Sequence, residues 1–193
     1  LLMTLAIITG STGLIGSESV NFFHEKGFDV IGIDNNLRKF FFGKNSSTNW
    51  VKAKLLKKNK NFKNYSIDIR NFSALEKIFK KYRRNISVII HCAAQPSHDY
   101  GKNFPFLDFN INATGTLNLL ELTKKYCPNS VFIFMSTNKV YGDNPNRLKI
   151  LEKKTRWELK KTDKNYKGIN ENFSLDNATH SFFGVSKTYA DLI

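Results

Sequence analysis

The chain has only two cysteines, Cys92 and Cys127, among its 193 residues. Their separation matches neither a metal-ligand spacing nor a disulfide framework. That excludes a structural zinc module and a disulfide-stapled scaffold, and it fits a reducing, cytoplasmic setting. No apolar run approaches the about 20 residues needed to cross a bilayer. The apolar amino end carries no charged n-region and breaks at Gly10, so a secretory leader is not expected. Acidic residues are scarce: 16 Asp and Glu stand against 30 Lys and Arg, for a net charge of +14. Such an excess suits an anionic partner. Yet the lysines are scattered beside asparagines, as in KKNKNFKN, with no aromatic-interleaved basic stripe and no recognition-helix pattern. Nucleic acid and membrane are therefore not expected partners. An anionic small ligand accounts for part of the positive field. Repeats and low-complexity linkers are also missing.

What is present is a soluble, globular composition, 41% hydrophobic and 24% charged, long enough to bury one core. The reading is one domain over residues 1–193. The organising stretch is LAIITGSTGLIG, Leu5 to Gly16. An isoleucine-rich run reads as a strand buried on both faces. Gly10 then allows a sharp turn, Gly13 a close approach of backbone to a ligand, and Gly16 tight packing of the next helix. That helix, expected from Leu14 to Lys26, aims its free amides at the crevice, where a pyrophosphate fits. A functionless strand-to-helix turn could use the same glycines.

Strand and helix then alternate. Strands are expected at Leu5–Ile8, Phe28–Ile33, Asn64–Ile67, Val88–His91 and Val131–Met135. Helices are expected at Trp50–Lys58, after a capping box at Ser73–Glu76, from Pro105 to Tyr126, and from Ser181 onward. The pattern implies βαβ units and a parallel sheet. Phe40, Phe41 and Phe42 fall in a loop, where they should pack under a lid or against a partner. Residues 143–178 read as a long irregular loop on the substrate side.

Ligands bind off the carboxyl ends of strands in such a sheet. Those ends hold the glycine loop, Asp34, Asp68, the small-residue turn CAAQP with His91, and Ser136-Thr137. Asp34 would accept both ribose hydroxyls of an adenosine and repel a 2′-phosphate, favouring NAD, with Arg38 pulling the other way. It could also be a solvated loop carboxylate. His91 reads as structural. Ser136 and Thr137 could hold a substrate oxygen or cap the next turn. Lys187 could meet the cofactor ribose or lie on a solvated helix face. The chain starts at Leu1 and stops at Ile193 inside an expected helix, so a fragment is expected.

Taken together, TGSTGLIG, Asp34, Asp68 with Ile69 and Arg70, HCAAQ, Asn110 within NINATGT, STNKVYG and Ser186-Lys187 resemble the extended short-chain dehydrogenase/reductases. These are NAD-dependent nucleotide-sugar epimerases and dehydratases. QPSHDY, STNKVYGDNPN and THSFFGVSK are most similar to the branch that epimerises CDP-sugars at C2. The resemblance implies a Rossmann-type doubly wound parallel sheet, truncated before most of the sugar-binding part. It implies that Gly10, Thr12, Gly13, Leu14, Ile15 and Gly16 line the pyrophosphate. Asp34 and Asn35 would take the adenosine ribose, and Asp68 and Ile69 would border the adenine. Ala93, Ala94 and Gln95 would lie against the cofactor. Thr137 and Lys187 would belong to the catalytic set.

The same comparison exposes a departure. The family pairs its lysine with a tyrosine four residues earlier, and here that residue is Phe183. A tyrosinate beside a lysine can take the hydroxyl proton as hydride leaves; phenylalanine cannot. His180, His98 and Tyr189 are the alternative proton acceptors. The expected reaction is redox-neutral: a sugar carbinol is oxidised by held NAD, the ketone turns its other face, and hydride returns. A UDP-glucose 4-epimerase-like activity, or binding without turnover, stands as the alternative. Asn138 and Lys139 follow the threonine where dehydratases carry acids, so elimination is disfavoured. A homodimer through two long helices is carried by analogy.

Overall fold

The computed structural model describes residues 4–193. Its strands β1 (Leu5–Thr9), β2 (Asp29–Ile33), β3 (Phe62–Tyr65), β4 (Ile86–His91) and β5 (Val131–Phe134) form one parallel sheet in the order β3-β2-β1-β4-β5. All five residues of β1 are buried, as its continuous apolar sequence requires of a central strand. Ile7 stands between Ile31 of β2 and Ile89 of β4. The chain travels outward through β2 and β3, then crosses back to β4. That reversal opens a crevice at the carboxyl ends of β1 and β4.

The helices are α1 (Leu14–Glu25), α2 (Arg38–Phe42), α3 (Asn49–Lys58), α4 (Phe72–Tyr82), α5 (His98–Asn103), α6 (Pro105–Phe109), α7 (Gly115–Tyr126) and α8 (Phe182–Leu192). One face of the sheet packs Ala6, Ile8, Val30 and Phe62 with Val20 of α1 and Leu55 of α3. The other packs Leu5, Ile7, Ile33 and Ile89 with Leu75 and Phe79 of α4 and Leu119 and Leu122 of α7. In α4, Leu75, Ile78 and Phe79 recur at helical spacing and are all buried. Each such side chain contributes about 1.5–3 kcal/mol by leaving water. Phe79→Ala should cost about 3–5 kcal/mol. On its outer side β5 has no strand neighbour among the described residues, and it turns Val131 and Ile133 to solvent. No helix among the described residues is long and apolar enough to cross a membrane.

Several elements differ from the sequence-based expectation. The third strand starts at Phe62, whose buried ring anchors it, and ends at Tyr65. The cap of α4 is Asn71, whose side chain accepts from the Ala74 amide at 3.0 Å, so Ser73 lies inside the helix. The three phenylalanines form α2: Phe41 packs on the core, while Phe40 and Phe42 are exposed. The expected helix from Pro105 to Tyr126 is split by a wide π turn at Asn110–Thr114, and α5 precedes it. The long loop contains an antiparallel pair, β6 (Ile150–Glu152) and β7 (Trp157–Leu159).

Candidate active site

A cleft of about 290 Å³ lies off the carboxyl ends of the strands. Gly10, Gly13, Leu14, Ile15 and Gly16 form one wall; Asp34, Asn35, Asp68 and Ile69 form another; Cys92, Ala93, Ala94 and Met135 close the far end. Gly10 adopts φ +63°, a left-handed turn that glycine accepts without strain. Its amide donates to Ile33 O at 2.8 Å, tying the turn to β2. A side chain there would press on the backbone of Cys92 and Ala93. At Gly16 a Cβ would strike the Gly10 carbonyl and come within 2.9 Å of Ser11 Cα. The glycine therefore seats α1 directly on the loop. No side chain caps α1, and its first turn holds no acid. The leading amides of such a helix are unsatisfied and carry the positive end of its dipole.

Asp34 is half-buried and fixed, not a solvated loop carboxylate. One oxygen accepts from the Thr12 amide at 2.9 Å, the other from the Asn36 amide at 2.8 Å. A carboxylate has about four acceptor positions, so each oxygen keeps capacity toward the cleft. Thr12 departs from the expected wall position. It is buried, its hydroxyl pairs with Thr48 at 2.7 Å, and its amide is committed to Asp34. Asp68 accepts from the Arg70 guanidinium at 2.7 and 2.9 Å and from Asn35 at 3.1 Å. Burial pushes its carboxyl up, but the Arg70 and Asn35 bonds outweigh that and hold it below the ordinary range.

At the far end, His91 is enclosed. Nδ1 meets Thr9 Oγ1 at 2.7 Å and Nε2 meets Thr116 Oγ1 at 2.9 Å, so the ring is structural, as its place at a strand end indicated. Burial, helped by the Lys187 charge, lowers its pKa to about 3. Lys187 is only 4% exposed. Its Nζ donates to Met135 O at 2.6 Å and sits 4.0 Å over the Phe134 ring. Burial lowers it to about 8, against the pull of Asp191, Cys92 and Asp108. Lys187 thus lies beneath Met135 at the cleft floor and not on a solvated helix face. Burial also pushes the cleft-lining Cys92 thiol up to about 11, with Lys187 opposing.

Thr137 caps the following turn: its hydroxyl oxygen accepts from the Lys139 amide at 3.3 Å. Phe183 is buried where α8 meets Gly101 of α5. The three alternative proton acceptors do not line the cleft. His98 is exposed beside Asp99, Tyr189 lies against the Phe109 ring, and His180 holds its Nδ1 buried without a partner. Gln95 corrects another expectation. It is wholly buried and turned away from the cleft, where Pro96 takes its place. Its amide donates to Ser97 O and to Asp108, each at 2.7 Å.

Gln95 belongs to a polar network that sequence reasoning missed. Asp108, fully buried, accepts from Ser186 Oγ at 2.5 Å, Gln95 Nε2 at 2.7 Å and Asn112 Nδ2 at 3.4 Å. Burial pushes its carboxyl up, and those donors pull it back. Ser186 precedes Lys187, so the network clamps α8 to α6 and the π turn. Of the two asparagines in NINATGT, Asn112 is the inward one; Asn110 is exposed. The available signal was an acid four residues before Asn112 on an otherwise apolar helix.

An open parallel sheet with this strand order, a glycine turn feeding an uncapped helix and a carboxylate after β2 is a Rossmann-type nucleotide-binding architecture. The chain belongs to the GDP-mannose 4,6 dehydratase family, an extended short-chain dehydrogenase/reductase family whose model matches residues 7–157. It is 37% identical over 185 residues to CDP-paratose 2-epimerase of Salmonella typhi, covering 96% of this chain and 50% of that protein. In structure it is similar to the UDP-Glc/GlcNAc 4-epimerase of Campylobacter jejuni, with TM-score 0.72, 21% identity, and coverage of 98% of this chain and 47% of that one. The UDP-glucose 4-epimerase of Thermus thermophilus, solved in complex with NAD, gives TM-score 0.67 at 24% identity, covering 98% and 49%. The chain thus spans about half the length of the relatives it matches.

Proposed function

We propose that this chain is the NAD-holding part of a nucleotide-sugar epimerase acting on a CDP-sugar. The observation that carries the reading is one cleft shared by three groups: the uncapped start of α1, the Asp34 carboxylate, and the small residues Ala93 and Ala94. These fit a dinucleotide. The α1 amides of Leu14, Ile15 and Gly16 suit a diphosphate. Asp34 keeps acceptor capacity for two ribose hydroxyls, and Ala93 and Ala94 leave room for a flat ring. Bound there, NAD would accept a hydride from a sugar carbinol and return it to the opposite face. Lys187 would hold positive charge under the floor at Met135, and the Thr137 hydroxyl, which donates to Asn138 Oδ1 at 3.4 Å, would turn from that long bond to a substrate oxygen. Phe183 offers no proton acceptor at all. That one residue supports the second reading, a chain that binds coenzyme and sugar nucleotide without turnover.

The CDP-sugar assignment rests on the Salmonella typhi relative. Support for a homodimer comes from exposed Phe106, Phe109 and Leu117 on the α6–α7 rod and Phe182 and Val185 on α8. Free Cys92 and Cys127 support a cytoplasmic protein. The first test is a titration with NAD: the natural chain should bind, and Asp34→Ala should weaken binding at least tenfold. No saturable binding refutes the reading. A CDP-sugar deuterated at C2 then separates the two versions. Retained turnover supports the epimerase. Turnover appearing only in Phe183→Tyr supports the silent binder.

A further inference from the structure

We infer that Phe41 and Tyr100 form an aromatic clasp across the mouth of the cleft, which slows escape of the dinucleotide; this rests on the NAD reading above. The clasp joins two loops that leave different strands. One follows Asp34 at the end of β2 and carries α2. The other follows β4 and carries α5. In the sheet β1 lies between those strands, and the glycine loop lies at its end. A dinucleotide on the glycine loop would pass beneath any contact between the two.

The β2 loop is pinned at its base by hydrogen bonds, and at its tip Phe41 packs on the core and against Tyr100. Asn36, at φ +57°, accepts through Oδ1 from the Thr48 amide at 2.9 Å and donates through Nδ2 to Ser47 Oγ at 2.9 Å. Thr48 is tied in turn to Thr12 of the glycine loop. Between these anchors, α2 is a five-residue turn with no fully buried residue. Its reach across the cleft is aromatic. The Phe41 ring lies edge-on to Tyr100, centroids 4.7 Å apart, and Tyr100 stacks on Phe104 at 4.6 Å. Leu37, Arg38 and Phe41 line the cleft from this side, and Ala94 and Pro96 from the other. A clasp here has a chemical use. A redox-neutral epimerisation needs the same coenzyme molecule from oxidation to reduction, so slow release protects the half-reacted sugar.

The test uses NADH as probe, loaded on the full chain and chased with excess NAD while its fluorescence is followed. Phe41→Ala and Tyr100→Ala should each speed release roughly three- to tenfold, the worth of one edge-to-face pair. Tyr100→Phe, which keeps the ring, should release at the natural rate, and Phe41→Leu should fall between. A second readout needs no ligand: trypsin should cut after Arg38, Lys39 and Lys44 faster in both alanine variants. Unchanged release and unchanged cleavage in both variants overturn the clasp while leaving coenzyme binding intact. Failure of the natural chain to take up NADH overturns the coenzyme reading, and the clasp with it.

Discussion

Gly16→Ala sets two effects of opposite sign against each other. The residue is the third of α1, where alanine is favoured over glycine by up to about 1 kcal/mol. Helix propensity alone therefore predicts a stabilised protein. The surroundings predict the reverse. A Cβ on Gly16 would strike the Gly10 carbonyl and stand 2.7 Å from Gly10 C and 2.9 Å from Ser11 Cα. Carbon atoms pack comfortably at about 3.5–4.0 Å, so the loop or the helix must move by at least about 0.8 Å. The obstacle is backbone, held to β2 through the Gly10 amide, and cannot rotate aside. Overpacking of this kind costs about 1–3 kcal/mol, and a rigid obstacle places it at the upper end. The net loss should be about 2 kcal/mol, or roughly 4–8 °C in Tm for a chain of this size. Gly115→Ala is the control. It stands at the start of α7, where the atoms nearest to the Cβ belong to the Ile69 side chain and not to backbone. That variant should stay within about 1 kcal/mol of the natural protein. Urea unfolding followed by circular dichroism measures both, and an NAD titration should find weaker binding in Gly16→Ala. A Gly16→Ala protein as stable as the natural one would refute the close seating of α1 on the loop.

Lys187 predicts a pH-dependent stability. Its folded pKa of about 8 lies below the ordinary 10.5, so between those values the unfolded chain binds more protons and stability rises with pH. The gain should approach roughly 3 kcal/mol, read as the difference between natural protein and Lys187→Met in urea at pH 7.5 and 10.5; a constant difference would disprove it. His91 acts at the other end of the scale. Unfolded, it charges below about 6.5, but folded only near 3, so it withdraws stability as pH falls through that window, at up to about 1.4 kcal/mol per unit. An NMR titration should find the His91 ring neutral at pH 5, and a midpoint near 6.5 would sink the argument. Asp108→Asn keeps the shape but turns an amide hydrogen toward donors on Ser186, Gln95 or Asn112. It should cost about 2–4 kcal/mol in urea unfolding. A loss under about 0.5 kcal/mol would mean that the network does not hold α8.

The parallel strands and α1 were legible in the sequence because burial on both faces leaves a plain mark: an unbroken run such as Leu5 to Ile8, closed by glycine. The ends of those strands then place Asp34, Asp68, Ala93 and Ala94 around one cleft by topology alone. Directions of polar side chains left no such mark. Gln95 and Thr12 sit within the right motifs, yet both turn inward, because their partners Asp108 and Thr48 lie far along the chain. The break in the long helix was hidden for a related reason. Asn112 faces the interior through the π turn, a local winding that a period of 3.6 residues cannot express. Ser73 resembled a cap by spacing, but Asn71 reached the free amide first.

The unaccompanied flank of β5 has a practical side. Among the described residues no strand pairs with its outward amides and carbonyls, which run beside two exposed aliphatic side chains. A second extended segment could add there as though continuing the sheet. At high concentration this flank should favour association between copies of the chain. Ile133→Lys would be the first change to make before attempting crystals.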